Sequence, residues 1–86
     1  MIDKILIKRI LKIQQSKERN SLKLAEECSE LSAVLLGQYL KNKDKSDKVL
    51  SELCDVWIQL LQFTSKLSEA EISILNKKIH NKIKYK

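Results

Sequence analysis

Residues 49–63 read VLSELCDVWIQLLQF, and this stretch decides the fold. At about 100° per residue, its apolar side chains surround more than half of a helix. One polar strip remains, formed by Glu52, Asp55, Gln59 and Gln62. In a chain of 86 residues, three other short helices cannot cover so much apolar surface. The stretch therefore predicts a helix, from about Lys48 to Lys66, through which the subunit forms a dimer or tetramer.

The composition predicts a single all-α domain spanning residues 1–86. Hydrophobic residues make up 43% of the chain and charged residues 33%, which is typical of a globular protein. Proline is absent and Gly37 is the one glycine, so the residues that usually bound strands and tight turns are nearly missing. We therefore expect a four-helix, antiparallel, bundle-like subunit.

The other three helices follow from apolar periodicity and capping residues. The first is predicted from about Ile2 to Gln15, and residues 16–20 interrupt its pattern. The second is predicted to begin at Asn20 or Ser21 as N-cap and to end near Leu40. Residues 41–48, KNKDKSDK, form a charged loop in which Ser46 or Asp47 can cap the third helix. Ser68 and Glu71 have the spacing of a capping box that opens the fourth helix.

The termini and cysteines indicate a cytoplasmic protein. The N-terminal segment carries charges and lacks a cleavage site for a signal peptide. No uncharged apolar run is long enough to cross a bilayer. Cys28 and Cys54 have no partner at metal-binding spacing, so we expect two buried free thiols in a reducing compartment.

Charge is distributed unevenly along the chain. The net charge is +6, yet no Lys or Arg occurs from Leu24 to Leu40 or from Val49 to Ser65. Five of the eleven acids fall within those two ranges. Glu27 and Glu30 are three residues apart, and Glu52 and Asp55 repeat that spacing, so each pair projects from one side of its helix beside the apolar stripe.

Packing of the two stripes would bring these four carboxylates to one site. Without a cation they would repel one another, and desolvating them would be costly. An all-oxygen ligand set favours Mg²⁺, with Mn²⁺ as a substitute, over zinc. Either pair alone is most simply a set of surface acids on a helix, because Glu is a strong helix former. Two matched pairs favour a metal site.

These motifs also resemble a known family. EECSE at residues 26–30, followed after 21 residues by ELCD at 52–55, resembles the EExxE…ExxD signature of the all-α nucleoside triphosphate pyrophosphatases. That group includes MazG-like proteins, dimeric dUTPases and phosphoribosyl-ATP pyrophosphatase. The resemblance covers roughly residues 20–84. It implies Mg²⁺-dependent hydrolysis of a nucleoside triphosphate between the α and β phosphates, with Glu27, Glu30, Glu52 and Asp55 as metal ligands and catalytic residues.

A third segment adds to the resemblance. Asn76, Lys78 and Lys82 in LNKKIHNK are similar to the basic segment that MazG-like proteins carry on the following helix, which implies contacts with the substrate phosphates. Lys82 stands where the family commonly has Arg, and Lys offers a point charge in place of a bidentate fork. The residues do not identify the preferred base or sugar.

A second hypothesis uses the net charge of +6 directly. The chain would then be a small basic helical module that binds nucleic acid or another protein without catalysis. This hypothesis does not explain the two matched pairs of carboxylates. Glu26 could orient a water molecule or face solvent, and we expect it to face solvent. Trp57 could stack on a base, but we expect it to be structural.

Overall fold

The computed structural model describes residues 3–84, and over these residues it contains no β-strand and four α-helices. They are α1 (Lys4–Lys12), α2 (Lys17–Leu40), α3 (Ser46–Ser65) and α4 (Glu69–Lys84). The prediction of an all-helical chain is confirmed. Ile2, which the sequence assigns to the first helix, lies outside the described residues. None of the described helices is both long and apolar enough to cross a membrane.

The first helix is shorter than its apolar pattern predicts. The Asp3 carboxylate accepts a hydrogen bond from the Ile5 N–H at 2.7 Å, and α1 begins at the next residue, Lys4. The helix ends at Lys12 because the backbone of Ile13 is extended. The predicted last residue, Gln15, lies in the connection to α2, and its side chain binds α3 instead.

The predicted start of the second helix is wrong. The Ser16 hydroxyl accepts a hydrogen bond from the Arg19 N–H at 3.0 Å, so α2 begins at Lys17 and not near Asn20 or Ser21. Asn20 lies inside α2, fully buried, and its amide donates to α3 in place of capping a helix. A connection of four residues, 13–16, therefore separates α1 from α2.

The charged connection between α2 and α3 is confirmed, although it is shorter than predicted. It covers residues 41–45, and α3 begins at Ser46. Neither Ser46 nor Asp47 acts as the N-cap. The Asp44 carboxylate accepts hydrogen bonds from the Ser46 N–H at 3.1 Å and from the Ser46 hydroxyl at 2.9 Å, which holds the start of α3 against the connection.

The capping box predicted for the fourth helix is confirmed. The Ser68 N–H donates to Glu71 Oε1 at 2.9 Å, and the Glu71 N–H donates to Ser68 Oγ at 3.1 Å. These hydrogen bonds from Ser68 lower the pKa of Glu71, because they favour its ionised form. The start of α4 is thus fixed by local hydrogen bonds.

The main contact of the fold is an antiparallel pairing of α2 with α3, with α1 packed against α3. Asn20 near the start of α2 contacts Gln59 in the second half of α3, whereas Glu27 lies beside Glu52 in the first half. Val34 and Val56 are the buried apolar side chains of the described chain. Two valines make a small core, so polar contacts largely determine how α2 aligns with α3.

A network of side-chain amides joins the start of α2 to the second half of α3. Asn20 Nδ2 donates to the backbone oxygen and to Oε1 of Gln59, both at 3.0 Å. Gln15 Nε2 donates to Gln59 Oε1 at 2.8 Å and also to Gln62 Oε1. Asn20 and Gln62 are almost completely buried, so their hydrogen bonds are shielded from solvent.

The same network holds the end of α1. Gln62 Nε2 donates to the backbone oxygens of Ile10 at 2.9 Å and Ile13 at 3.3 Å. The Ile10 carbonyl also accepts a hydrogen bond from the Ile13 N–H at 3.1 Å, so Gln62 adds a donor from α3 at the C-terminus of α1. Lys66 Nζ donates to the Gln15 carbonyl at 3.3 Å. The connection between α1 and α2 is therefore fixed to α3 by hydrogen bonds.

The single chain does not close into a four-helix bundle, because α4 packs against none of the other described helices. The radius of gyration is 15.2 Å, whereas a compact domain of this length has about 12 Å. The bundle-like arrangement is thus limited to α1, α2 and α3, and α4 extends from them. Its capping box forms without tertiary contacts, which explains why the helix was predictable and its position was not.

A large apolar surface is exposed on the chain. The accessible surface is 7267 Å², about 2,000 Å² more than the roughly 5,200 Å² typical of a compact monomer of this mass. Exposed large apolar residues occur on all four helices. Cys28 and Cys54 are free thiols as predicted, but the prediction that they are buried is wrong for the single chain, because the apolar stripes around them are uncovered.

We predict that Asn20→Ala lowers the free energy of unfolding by about 1–3 kcal/mol, because two partly buried acceptors on Gln59 lose the donor that the buried Asn20 supplies. Ser21→Ala is the matched control, since its hydroxyl only bonds the exposed Lys17 carbonyl within α2, and we expect a change below about 0.5 kcal/mol. Urea unfolding at one protein concentration measures both. Equal effects of the two substitutions would contradict a role for the amide network.

Candidate metal centre

Four acids are placed by the antiparallel pairing of α2 with α3. Glu27 and Glu30 lie on α2, and Glu52 and Asp55 lie on α3, each pair three residues apart. Side chains at that spacing project from one side of a helix. Because the amide network fixes the second half of α3 beside the start of α2, the first half of α3 faces the middle of α2. The two pairs therefore meet, as the spacing predicts.

Three of the acids converge closely. Glu27, Glu52 and Asp55 each offer an oxygen, and these three oxygens lie within 4.8 Å of one another. Ligand oxygens around a single Mg²⁺ are about 3–4 Å apart, because each lies 2.0–2.1 Å from the ion. Small rotations of the side chains would bring the three oxygens to that spacing.

The fourth acid, Glu30, lies beside this group. It is exposed, and it is within hydrogen-bonding reach of both Glu27 and Glu52. Its carboxylate thus borders the cluster on the solvent side. All four predicted metal ligands are gathered at one place on the surface of the α2–α3 pair.

The electrostatics of the cluster favour a bound proton or cation. Partial burial raises the pKa of Glu27, and the charges of Glu30 and Asp55 raise it further. The pKa of Glu52 is also raised, first by burial and then by Glu30, while the charge of Lys48 acts in the opposite direction. Ionised carboxylates at this site therefore carry an unfavourable free energy when no cation is bound.

Two oxygens of the cluster are buried without a hydrogen-bond partner, Glu27 Oε2 and Glu52 Oε2. A buried acceptor without a donor is costly, and a bound cation is one way to satisfy it. The donor set is entirely oxygen, without a His or Cys among the clustered residues. The residues present therefore fit a hard divalent cation such as Mg²⁺ or Mn²⁺.

Nearby charged side chains are arranged around the cluster and not within it. Glu26 is exposed, as expected, and forms an ion pair with Lys23 at 3.7 Å. Lys48 precedes Glu52 by one helical turn and is the basic residue that acts on its pKa. The sequence interpretation missed Lys48 because it lies one residue before the segment without Lys or Arg, although the i, i+4 spacing to Glu52 was a visible signal.

The polar strip on α3 changes in chemistry along its length. Its first half holds Glu52 and Asp55, and its second half holds Gln59 and Gln62. The sequence identified the strip but not the partners of the two glutamines, because Gln15 and Asn20 are far away along the chain. The continued spacing of three and four residues was the available signal. Trp57 lies outside this strip and is half-buried, with its indole N–H unpaired.

The predicted phosphate-binding residues are not near the acids within one chain. Asn76, Lys78 and Lys82 lie on α4, where all three are exposed. Since α4 packs against neither α2 nor α3, these side chains do not complete the acidic cluster in the described chain. Any contact they make with a ligand of that cluster requires α4 to approach it.

Comparisons with known proteins identify no relative. No family model, no curated protein and no solved structure matches this chain. The resemblance to the all-α pyrophosphatases therefore rests on the short sequence motifs alone.

We predict that Glu27→Gln stabilises the metal-free protein at neutral pH. A carboxyl whose pKa is raised on folding holds its proton more tightly in the folded state, so stability is lost as pH rises through the raised pKa. The gain from Glu27→Gln should accordingly shrink as pH falls toward 4.5, the ordinary glutamate value. Urea unfolding with EDTA across this range measures the effect.

Glu26→Gln is the matched control for this prediction, because Glu26 is exposed and lies outside the cluster. We expect Glu26→Gln to change the pH dependence much less than Glu27→Gln, because the charge of Glu26 is the smallest of the causes that raise the pKa of Glu27. With saturating Mg²⁺, wild type should become more stable than Glu27→Gln, since it gains binding free energy that this variant partly lacks. A Glu27→Gln variant less stable than wild type at every pH would show that the acids do not repel one another.

Proposed function

We propose that this protein is a Mg²⁺-dependent nucleoside triphosphate pyrophosphohydrolase, which cleaves between the α and β phosphates and releases a nucleoside monophosphate and pyrophosphate. The supporting observation is the convergence of Glu27, Glu52 and Asp55 within 4.8 Å, with two buried oxygens unpaired. The reaction and the bond cleaved come from the resemblance of EECSE and ELCD to the all-α pyrophosphatases, and membership of that family is part of the proposal.

In this proposal, residues of this chain bind the metal ions and position the substrate. Glu27, Glu30, Glu52 and Asp55 would hold the metal ions between α2 and α3. Bound Mg²⁺ supplies activation of water and neutralisation of phosphate charge. The antiparallel pairing sets the spacing of the four carboxylates before the substrate arrives, and the net charge of +6 attracts a polyanionic nucleotide to the surface.

Substrate contacts outside the acidic cluster are assigned by the resemblance. Asn76, Lys78 and Lys82 would offset charge on the phosphate chain, as donors placed at developing negative charge do in other enzymes. Their exposure on α4 leaves them available to a ligand. The competing hypothesis, a basic module that binds nucleic acid or protein, accounts for the lysines but not for the unpaired buried carboxylate oxygens.

We predict that Glu30→Gln and Asp55→Asn abolish hydrolysis and leave helix content intact. Each substitution removes an anionic ligand but also relieves repulsion, so the metal-free fold is not weakened. The assay is incubation with a panel of nucleoside triphosphates and Mg²⁺ or Mn²⁺, with separate detection of pyrophosphate and phosphate. Circular dichroism without metal measures helix content.

Glu26→Gln is the control in this assay and should retain activity, because Glu26 pairs with Lys23 outside the cluster. Full activity of Asp55→Asn would show that the metal site is wrongly assigned. Release of phosphate in place of pyrophosphate would show that a different bond is cleaved. No hydrolysis of any nucleotide, together with salt-dependent binding of DNA or RNA, would favour the binding module.

We further propose that the protein is an obligate oligomer, at least a dimer, built through α3. Leu50, Leu53 and Leu60 follow one face of α3 and are 65%, 42% and 40% exposed in the single chain. At about 25 cal/mol per Å² of apolar surface, the apolar part of the excess surface represents a free energy comparable with the whole stability of a domain of this size. A second copy offers the same face and makes a two-fold symmetric contact.

Sedimentation equilibrium tests the oligomer, and we predict no folded monomer at micromolar concentration. Leu60→Glu should shift the population toward monomer, because it places a charge in the contact. Ser51→Glu is the matched control, since Ser51 is exposed on the opposite side of α3 and should leave the assembly unchanged. A stable folded monomer of the wild-type protein would exclude the proposal.

A further inference from the structure

The fourth helix presents an apolar stripe that no other helix of the described residues 3–84 covers. Ile72, Leu75, Ile79 and Ile83 recur at steps of three, four and four residues, so they share one face of α4. All four are exposed, and α4 packs against no other described helix. A helix of 16 residues with such a stripe is normally held by packing rather than by propensity alone.

A matching groove follows the second half of α2. It is apolar and open, and both Tyr39 and Leu40 at its end are about three-quarters exposed, at 74% and 76%. Its lining includes Cys28, Leu31, Leu35, Leu36, Tyr39 and Leu40. Small Ser32 lies between the larger side chains and leaves room for a residue of a facing helix.

The α4 of the same chain cannot fill this groove. Lys66 at the end of α3 contacts Gln15 and Asn20, so α4 starts near the beginning of α2. Leu36 and Leu40 lie 16 and 20 residues beyond Asn20, about 24–30 Å along the helix axis. Ile83 lies only about 21 Å beyond the start of α4. The far end of the groove is therefore out of reach.

The spacing of the two surfaces matches when the helices run in opposite directions. Along α2, positions 28, 32, 36 and 39 are separated by four, four and three residues. The stripe on α4 has the reverse order, so an antiparallel helix places Ile83, Ile79, Leu75 and Ile72 opposite those positions in turn. Bulky Ile79 then faces Ser32, as a knob faces a hole.

The charges favour the same direction. The first turn of α4 carries Glu69 and Glu71, and in the antiparallel arrangement it lies level with Lys41 and Lys43 after α2. At the other end, Lys82 lies level with the acidic middle of α2. If α4 ran parallel to α2, like charges would lie together at both ends of the contact.

From these observations we infer that two copies of this chain exchange their fourth helices, each α4 lying antiparallel in the α2 groove of the partner copy. The occupant of the groove is thus a second copy, whose α4 has the required length, spacing and charge order. The exchange covers both the exposed apolar stripe of α4 and the open groove of α2, and it uses a surface different from the proposed α3 contact. It does not depend on the proposed hydrolase activity.

Site-directed disulfide formation tests this arrangement with Cys28 as a natural probe in the groove. One chain, tagged, carries Cys54→Ser and so retains Cys28 alone. The co-expressed second chain carries Cys28→Ser, Cys54→Ser and Ile83→Cys, so a mixed disulfide forms only between two chains. A disulfide requires Cα atoms within about 7 Å, and we expect a tagged–untagged dimer on a non-reducing gel.

Asn81→Cys in place of Ile83→Cys is the matched control, because position 81 lies on the opposite face of α4, and we expect about tenfold less of the mixed dimer. Absence of the dimer with Ile83→Cys, in protein with wild-type helix content, would overturn the exchange. A mixed dimer with Ile72→Cys instead would overturn the antiparallel direction.

A second pair tests the centre of the contact if a substitution at position 83 prevents folding. The tagged chain then carries Cys28→Ser, Cys54→Ser and Ser32→Cys, and the other chain carries Cys28→Ser, Cys54→Ser and Ile79→Cys. A mixed dimer supports the exchange. A disulfide that forms only when Ser32→Cys and Ile79→Cys share one chain, and that leaves the chain monomeric, would show that α4 folds back on its own α2 and would overturn it.

Discussion

The hydrogen bonds from Asn20 to Gln59 are the constraint on which the rest of the structure depends, because they fix the register of α2 against α3. The apolar core is too small to do this alone, since only Val34 and Val56 are buried among the apolar residues described. Displacing one helix by a turn would move it by about 5.4 Å and separate Glu27 from Glu52 and Asp55. The uncharged contact between Asn20 and Gln59 at one end of the helix pair thus holds the acids together at the other end, although their charges repel one another.

This division explains how the chain tolerates the acidic cluster. Burial raises the pKa of Glu27 and Glu52, and repulsion among the carboxylates raises it further. This repulsion would drive α2 and α3 apart if nothing opposed it. The network of Gln15, Asn20 and Gln59, with Gln62 holding the end of α1, opposes that separation. Hydrogen-bonded amides that are wholly or partly buried are suited to the task, because a partner lost to helix movement leaves a donor or acceptor unsatisfied.

The features of the fold and site that depend on local spacing could be predicted from the sequence. The predictions were wrong where contacts between distant residues decide the structure. The capping box of Ser68 and Glu71 and the two acid pairs were predictable, because each depends on residues three positions apart. The start of α2 was not, because Asn20 is a good capping residue in isolation and only its contact with Gln59 shows that it lies inside the helix. The position of α4 was unpredictable for a related reason, since its cap forms whether or not the helix packs. Burial of Cys28 and Cys54 was inferred from apolar stripes that one chain leaves uncovered.

The graded polar strip on α3 makes the two ends of the α2–α3 pair respond differently to their surroundings. Salt and acid act strongly on the carboxylate end, because screening or protonation changes its repulsion directly. The hydrogen bonds of the amide network join uncharged groups, apart from Lys66, and are almost insensitive to either. Backbone amide hydrogens near Gln59 should therefore exchange with solvent deuterium at nearly constant protection, while those near Glu52 become more protected as the ionic strength rises. The helix pair then behaves as a hinge whose fixed end is held by uncharged amides and whose free end responds to ions.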